Sequence, residues 1–189
     1  MPMGDEDMLQ RIRRIVTGHD ATGKATVLFD GVAGQTLEFP GWPGAGSTEL
    51  WATDEAPADI DGTADRARPM RHDPERNGTL FRVVQIPPES SGQQLDAGAT
   101  FEAMGSKNKP DAAAAAKHPS MHRTDSIDYL VVISGEMTML MDDGTEVTLE
   151  AGDCIVQQGT LHAWVNRGEH PCVLAAVLVD ARTPSAVAS

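Results

Sequence analysis

In the second half of the chain, apolar positions recur with a period of two or in short unbroken runs. Ile127 to Ile133 is apolar and β-branched, Met137 to Met141 and Thr145 to Leu149 alternate, and Cys154 to Gln157 and Leu161 to Val165 follow. A period of two marks strands, because successive side chains point to opposite faces. Glycine turns separate these runs: Ser134-Gly135, Gly152 and Gly159, with Asp143-Gly144 predicting a hairpin. Cys172 to Val179 is apolar throughout and short, which predicts a strand buried on both faces. Closely spaced short strands with almost no helical period predict an all-β sandwich or barrel over residues 79–183, with a tail at 184–189.

The first half reads differently. Residues 9–16 and 25–29 flank a Gly/Asp cluster and predict an N-terminal β-hairpin. Gly18, Gly23 and Lys24 match a phosphate-loop spacing. Ala25 and a β-prone run follow where that loop needs Ser or Thr and a helix, so the turn is read as a hairpin turn. Residues 31–78 are rich in Gly, Pro and Asp around one apolar island at 49–53. They predict an extended arm, with Trp42 and Trp51 as anchors, so residues 1–78 pack on the barrel or on a partner subunit. Thr79 to Ile86 reads as a strand stopped by Pro87 and Pro88. Five alanines between Pro110 and Pro119 predict a turn or two of helix.

Composition narrows the function. A net charge of −13 over 189 residues argues against nucleic acid and anionic membranes, both of which would repel the chain. Two cysteines are too few for a disulfide framework and point to a reduced, cytoplasmic setting. The acidic start lacks the basic and apolar regions of a secretory signal, and no apolar run approaches the ~18 residues of a membrane span. The expected assembly is a homodimer with a small-molecule ligand.

The chemistry lies at the ends of the strand-rich stretch. His122, Thr124, Ser126 and Asp128 share parity, so one unbroken strand points all four inward; His162, Trp164 and Asn166 share parity on another. Two imidazoles and a carboxylate converging in a lumen form a facial metal-ligand set, His122, Asp128 and His162. Such a set suits Fe, Mn, Ni or Zn and leaves open positions for water, substrate or dioxygen. The competing reading is a metal-free polar network in which Thr124 and Asn166 satisfy the histidines. Thr124, Trp164 and Tyr129 are the candidate substrate-binding residues. Met137, Met139 and Met141 alternate on one face as core. His118 is a candidate replacement ligand, and His19, His72 and His170 sit in turn-like, solvated contexts. Cys154 reads as a small buried hydrophobe. No Gly-x-Ser-x-Gly elbow supports a serine hydrolase.

These residues resemble the cupin superfamily, whose motifs have the forms G-x5-H-x-H-x3/4-E-x6-G and G-x5-P-x-G-x2-H-x3-N. Asp128 stands six residues before Gly135, in the place of the motif Glu, and His122 takes the first His position. The second motif runs from Gly152 through Gly159-Thr-Leu-His162-Ala-Trp-Val-Asn166. Thr124 replaces the second His, the motif Pro is missing, and the initial Gly has no counterpart. The resemblance covers residues 120–180. It implies a double-stranded β-helix, the jelly-roll cupin barrel, with the same three metal ligands. It also implies a metal-dependent enzyme on a small carboxylated or aromatic metabolite, by decarboxylation, oxygenation, isomerisation or lyase chemistry. The alternatives are a non-catalytic binding or sensor cupin with a degraded metal site, and a protein-interaction module.

Overall fold

The computed structural model describes residues 9–89, 96–107, 109–183 and 185. The first two strands, β1 (Arg13–His19) and β2 (Ala25–Val32), form a separate two-stranded hairpin. Next come β3 (Gln35–Glu38), β4 (Gly46–Thr53) and β5 (Thr79–Ile86), then the helices α1 (Ala97–Ala103) and α2 (Ala112–Lys117). The last six strands are β6 (Ser126–Ser134), β7 (Glu136–Met141), β8 (Glu146–Glu150), β9 (Cys154–Gln158), β10 (His162–Val165) and β11 (Cys172–Asp180).

A six-stranded antiparallel sheet, ordered β3-β4-β5-β11-β6-β9, faces a three-stranded sheet, β10-β7-β8. Met137 and Leu149 from the small sheet pack into one core with Leu80, Ile86, Leu130, Val132 and Leu174 from the large one. This is the double-stranded β-helix. β11 is central because it is the most apolar strand. It pairs with β5 on one side and β6 on the other, and turns Cys172, Leu174, Ala176 and Leu178 inward.

The barrel starts earlier than the composition of residues 31–78 predicts. β3 and β4 lengthen the large sheet by pairing onto β5, and Trp42 is buried in the core. The longest strand-free stretch of residues 31–78 runs from Asp54 to Gly78, and part of it is buried too, at His72 and Asp73. β3 is hidden in the sequence because it is only four residues long, with Leu37 its single apolar residue.

Both helices start on an aspartate cap: Asp96 accepts from the Ala99 N–H, and Asp111 from the Ala114 N–H. The alanine run forms α2 as expected. α1 holds Gly98 and Thr100, poor helix formers, and exists because it buries Thr100 and Phe101. No helix among the described residues is long and apolar enough to cross a membrane. Cys154 is exposed, against expectation, because the first position of β9 points outward; Cys172 is buried.

Candidate active site

His122 and His162 are brought face to face by backbone pairing. His122 N–H donates to the His162 carbonyl at 2.8 Å, and His162 N–H donates back at 2.9 Å. In such a pair the two side chains stand on the same face, and here the imidazole centroids lie 4.6 Å apart. Gly159 makes this approach possible. It turns β9 toward β10 at φ +58°, and a Cβ there would sit 3.1 Å from the Thr124 carbonyl.

The protonation of both rings follows from their partners. His122 Nδ1 lies 2.7 Å from the Ser120 carbonyl, and His162 Nδ1 lies 2.9 Å from the Thr160 carbonyl. A carbonyl only accepts, so each Nδ1 carries the proton and each Nε2 keeps a bare lone pair. Burial lowers the pKa of both rings. His162 falls to about 3, first through loss of water and then through its neighbour His122. At neutral pH the pair is therefore uncharged and offers acceptors.

His72 joins this pair, although its turn-like sequence context predicts a solvated side chain. It is buried, its Nδ1 is 2.7 Å from Ser106 Oγ, and its ring centroid lies 4.9 Å from that of His122. Burial, followed by His122, Arg82 and His162, lowers its pKa strongly. Phe101 packs 5.4 Å from both His72 and His122, and Trp164 meets His162 edge-on at 5.1 Å. The result is a row of aromatic rings along one wall of a ≈ 120 Å³ cavity.

Asp128 lines the same cavity but its oxygens are occupied. Ser126 Oγ is 2.5 Å from Oδ1 and Thr124 Oγ1 is 3.3 Å from Oδ2, while the two hydroxyls are themselves 2.7 Å apart. Two hydroxyl protons cannot fill three contacts. The ring of three closes fully only when the carboxyl carries a proton, and burial pushes the Asp128 pKa upward in that direction. Beside it, Arg82 is buried with Glu49 at 3.0 Å and donates to the Arg71 carbonyl. Burial raises the Glu49 pKa, and Arg82 opposes that rise.

Among the predicted site residues, His122, Thr124, Asp128, His162 and Trp164 all face the cavity. Tyr129 does not: it follows Asp128 on β6, so the alternation turns it outward, where it is 51% exposed. His118 bonds Ser120 and Glu89 and stays off the cavity wall. Asn166 makes no hydrogen bond to the His122 or His162 imidazole. It clamps the chain by donating to the Ile86 and His170 carbonyls, leaving backbone carbonyls to satisfy the imidazoles. The expected metal set is not assembled in this arrangement. Two bare Nε2 atoms fit metal binding, but the Asp128 oxygens are held by hydroxyls. Among the described residues no three His, Cys, Asp or Glu side chains stand together as a group able to hold a metal ion.

His72, Arg82 and Phe101 line the cavity without being predicted from the sequence. Arg82 carries a readable signal, a charge at the parity of Leu80 and Val84 on an otherwise apolar strand. His72 and Phe101 carry none, since both come from segments outside the strands.

A double-stranded β-helix with paired histidines in its lumen defines a cupin-type barrel. Residues 110–179 match the family described as "Cupin domain", so this part of the barrel is a cupin domain. The cupin-domain-containing oxidoreductase fogC of Aspergillus ruber is 28% identical over 178 residues, covering 91% of this chain and 74% of its own. The cupin-domain-containing oxidoreductase virC of Hypocrea virens is 26% identical over 180 residues, covering 92% and 78%. Among solved structures, a putative ethanolamine utilization protein Q from Salmonella typhimurium aligns over 92% of this chain and 99% of its own, at 12% identity and a TM-score of 0.44.

Proposed function

We propose that this cupin is an enzyme of the oxidoreductase class whose lumen takes a small aromatic molecule bearing a hydroxyl or N–H group. The observation behind this reading is the pair of bare Nε2 lone pairs at one end of a largely apolar, ring-lined cavity. Two acceptors with fixed tautomers favour a ligand that brings a donor, and leaving a buried acceptor unpaired costs about 1–3 kcal/mol. Phe101 and Trp164 would flank the aromatic body, and His122 or His162 would accept its proton at Nε2. The relatives named as oxidoreductases supply the reaction class. An Fe, Mn, Ni or Zn ion finds only two of its three expected ligands disposed to hold it, so the histidines and rings are assigned binding, orientation and proton acceptance alone.

One observation favours a second reading, a non-catalytic binding cupin: Thr124 stands where the superfamily motif has a histidine, and it bonds Asp128.

Calorimetric titration with p-cresol and toluene tests the first reading, because the two probes share a body and differ in the donor. p-Cresol should bind about tenfold more tightly, and the preference should vanish in His122→Leu and His162→Leu. Equal binding of the two probes by the wild type overturns it. Binding with the expected preference, but p-cresol unchanged by mass spectrometry after incubation in air with and without added Fe, Mn, Ni or Zn, favours the binding module.

A further inference from the structure

The two lumen imidazoles rest on the same device, built in two different ways. Each Nδ1–H donates to the carbonyl two residues upstream, His162 to Thr160 and His122 to Ser120. A carbonyl fixes a ring only as firmly as its own residue is held. For Thr160 the hold is local and buried: Gln157, three residues back at the end of β9, donates from Nε2 to the Thr160 hydroxyl. Ser120 has no strand behind it and lies in the turn that follows α2. There Met121 N–H donates to the His118 carbonyl at 3.0 Å and closes the turn. Met121 packs with Ala163 and Val165 of β10, and the orientation of Ser120 is left to a chain of hydrogen bonds.

That chain runs through His118. Ser120 N–H donates to His118 Nδ1 at 3.2 Å, and an N–H only donates, so Nδ1 is bare and Nε2 carries the proton. Ser120 Oγ, 2.8 Å from the same Nδ1, donates to it as well. His118 Nε2–H then donates to Glu89 Oε1 at 2.8 Å, across 29 residues of sequence. Glu89 is fastened in turn. Its N–H donates to the Asn166 carbonyl at 2.9 Å, and Asn166 is buried and donates to the Ile86 and His170 carbonyls. His118 and His122 therefore hold opposite tautomers, each dictated by its partners. The series leads inward from Glu89, whose side chain is 42% exposed, to Ser120 on the cavity wall.

We propose that Ser120, His118 and Glu89 are positioning residues for His122, holding its ring with Nδ1 protonated and Nε2 bare. The inference rests on the proposed lumen function, in which that Nε2 accepts from the ligand's O–H or N–H. An imidazole fails as such an acceptor in two ways. A tautomer change puts the proton on Nε2, and a ring flip turns Nδ1–H to the ligand. The Ser120 carbonyl opposes both, because it takes a proton donor at one fixed place; a carbonyl free to turn away opposes neither. Glu89 acts one step further out. Without an acceptor at Nε2, His118 can carry its proton on Nδ1, where it meets Ser120 N–H donor against donor. Ser120 then loses the orientation on which His122 depends.

Nitrogen NMR of the full chain, carrying isotope-labelled histidine at neutral pH, tests this, with the His122 signals identified by their loss in His122→Leu. In the wild type His122 should show a protonated Nδ1 and a bare Nε2. Glu89→Ala and His118→Leu should each give His122 nitrogens averaged between the two forms. Glu89→Gln, whose amide oxygen still accepts from His118 Nε2–H, should restore the wild-type pattern. In calorimetry Glu89→Ala and His118→Leu should bind p-cresol about fivefold more weakly, in proportion to the time the ring is competent, with toluene affinity unchanged. His122 nitrogens that are identical in the wild type, Glu89→Ala and His118→Leu overturn the proposal. So does an equal loss of p-cresol and toluene affinity, which marks a general loosening of the cavity. A wild type that binds both probes equally, while its His122 nitrogens respond to Glu89→Ala and recover in Glu89→Gln, sustains the positioning role and overturns the lumen function. If His118→Leu fails to fold, the two Glu89 variants decide.

Discussion

The two faces of the six-stranded sheet invert the usual arrangement. The inner face carries Arg82 and Asp128, both buried, along the same cavity as His72, His122 and His162. The outer face of the same strands presents Phe81, Tyr129, Val131, Ile133 and Val156 to water. Every charge or amide placed inside needs a partner, so the inner face is specified by polar pairs: an ion pair with Glu49 for Arg82, and hydrogen bonds from Ser126 for Asp128 and to backbone carbonyls for the imidazoles. The outer residues make no such demands within the chain. What distinguishes the faces is what each leaves unfinished: hydrogen-bond acceptors inside, apolar area outside.

The largest effect expected is on the inner face. Arg82→Met strands the Glu49 carboxylate in the core and should cost about 3–5 kcal/mol in chemical denaturation. The double variant Glu49→Leu/Arg82→Met should recover much of that loss. If single and double variants are equally destabilised, the pair does not hold the inner face together.

The next effect is a pH dependence. The folded His162 value of about 3 lies below the ordinary 6.5, so the unfolded chain binds more protons between these values. Stability is then fully present above about pH 6.5 and falls as the pH drops toward 3, with a slope of up to about 1.4 kcal/mol per unit from this group. His162→Gln should flatten that acid limb in denaturation curves recorded across the window. An unchanged slope would mean that His162 is solvated in the native state.

The smallest effect belongs to the outer face. Tyr129→Ser should change stability by no more than about 0.5 kcal/mol, since the side chain is half exposed and makes no hydrogen bond among the described residues. A loss like that of Arg82→Met would erase the contrast between the faces.

Much of the barrel is legible in the sequence. Alternation and short apolar runs from Ile127 to Val179 mark the later strands, Asp143-Gly144 the β7–β8 hairpin, and the shared parity of Thr124, Ser126 and Asp128 their inward direction. The same rule turns Tyr129 outward, although an aromatic residue beside a site invites a role in it. His72 is not legible, since nothing in Arg71-His72-Asp73-Pro74 fixes where the loop lies. Nor are the partners of Asp128, because spacing brings a carboxylate to a lumen without saying which hydroxyls reach it first.

By itself, then, the sequence determined the strands, their parity, the two lumen histidines and the cupin motifs, since period and turn chemistry are local properties of the chain. Tertiary structure alone decided that β3 and β4 join the sheet, that His72 stands beside His122, and that the Asp128 oxygens are taken by Ser126 and Thr124. Those contacts join segments far apart in the chain or depend on distances of a few tenths of an ångström, and neither is written in a residue's neighbours.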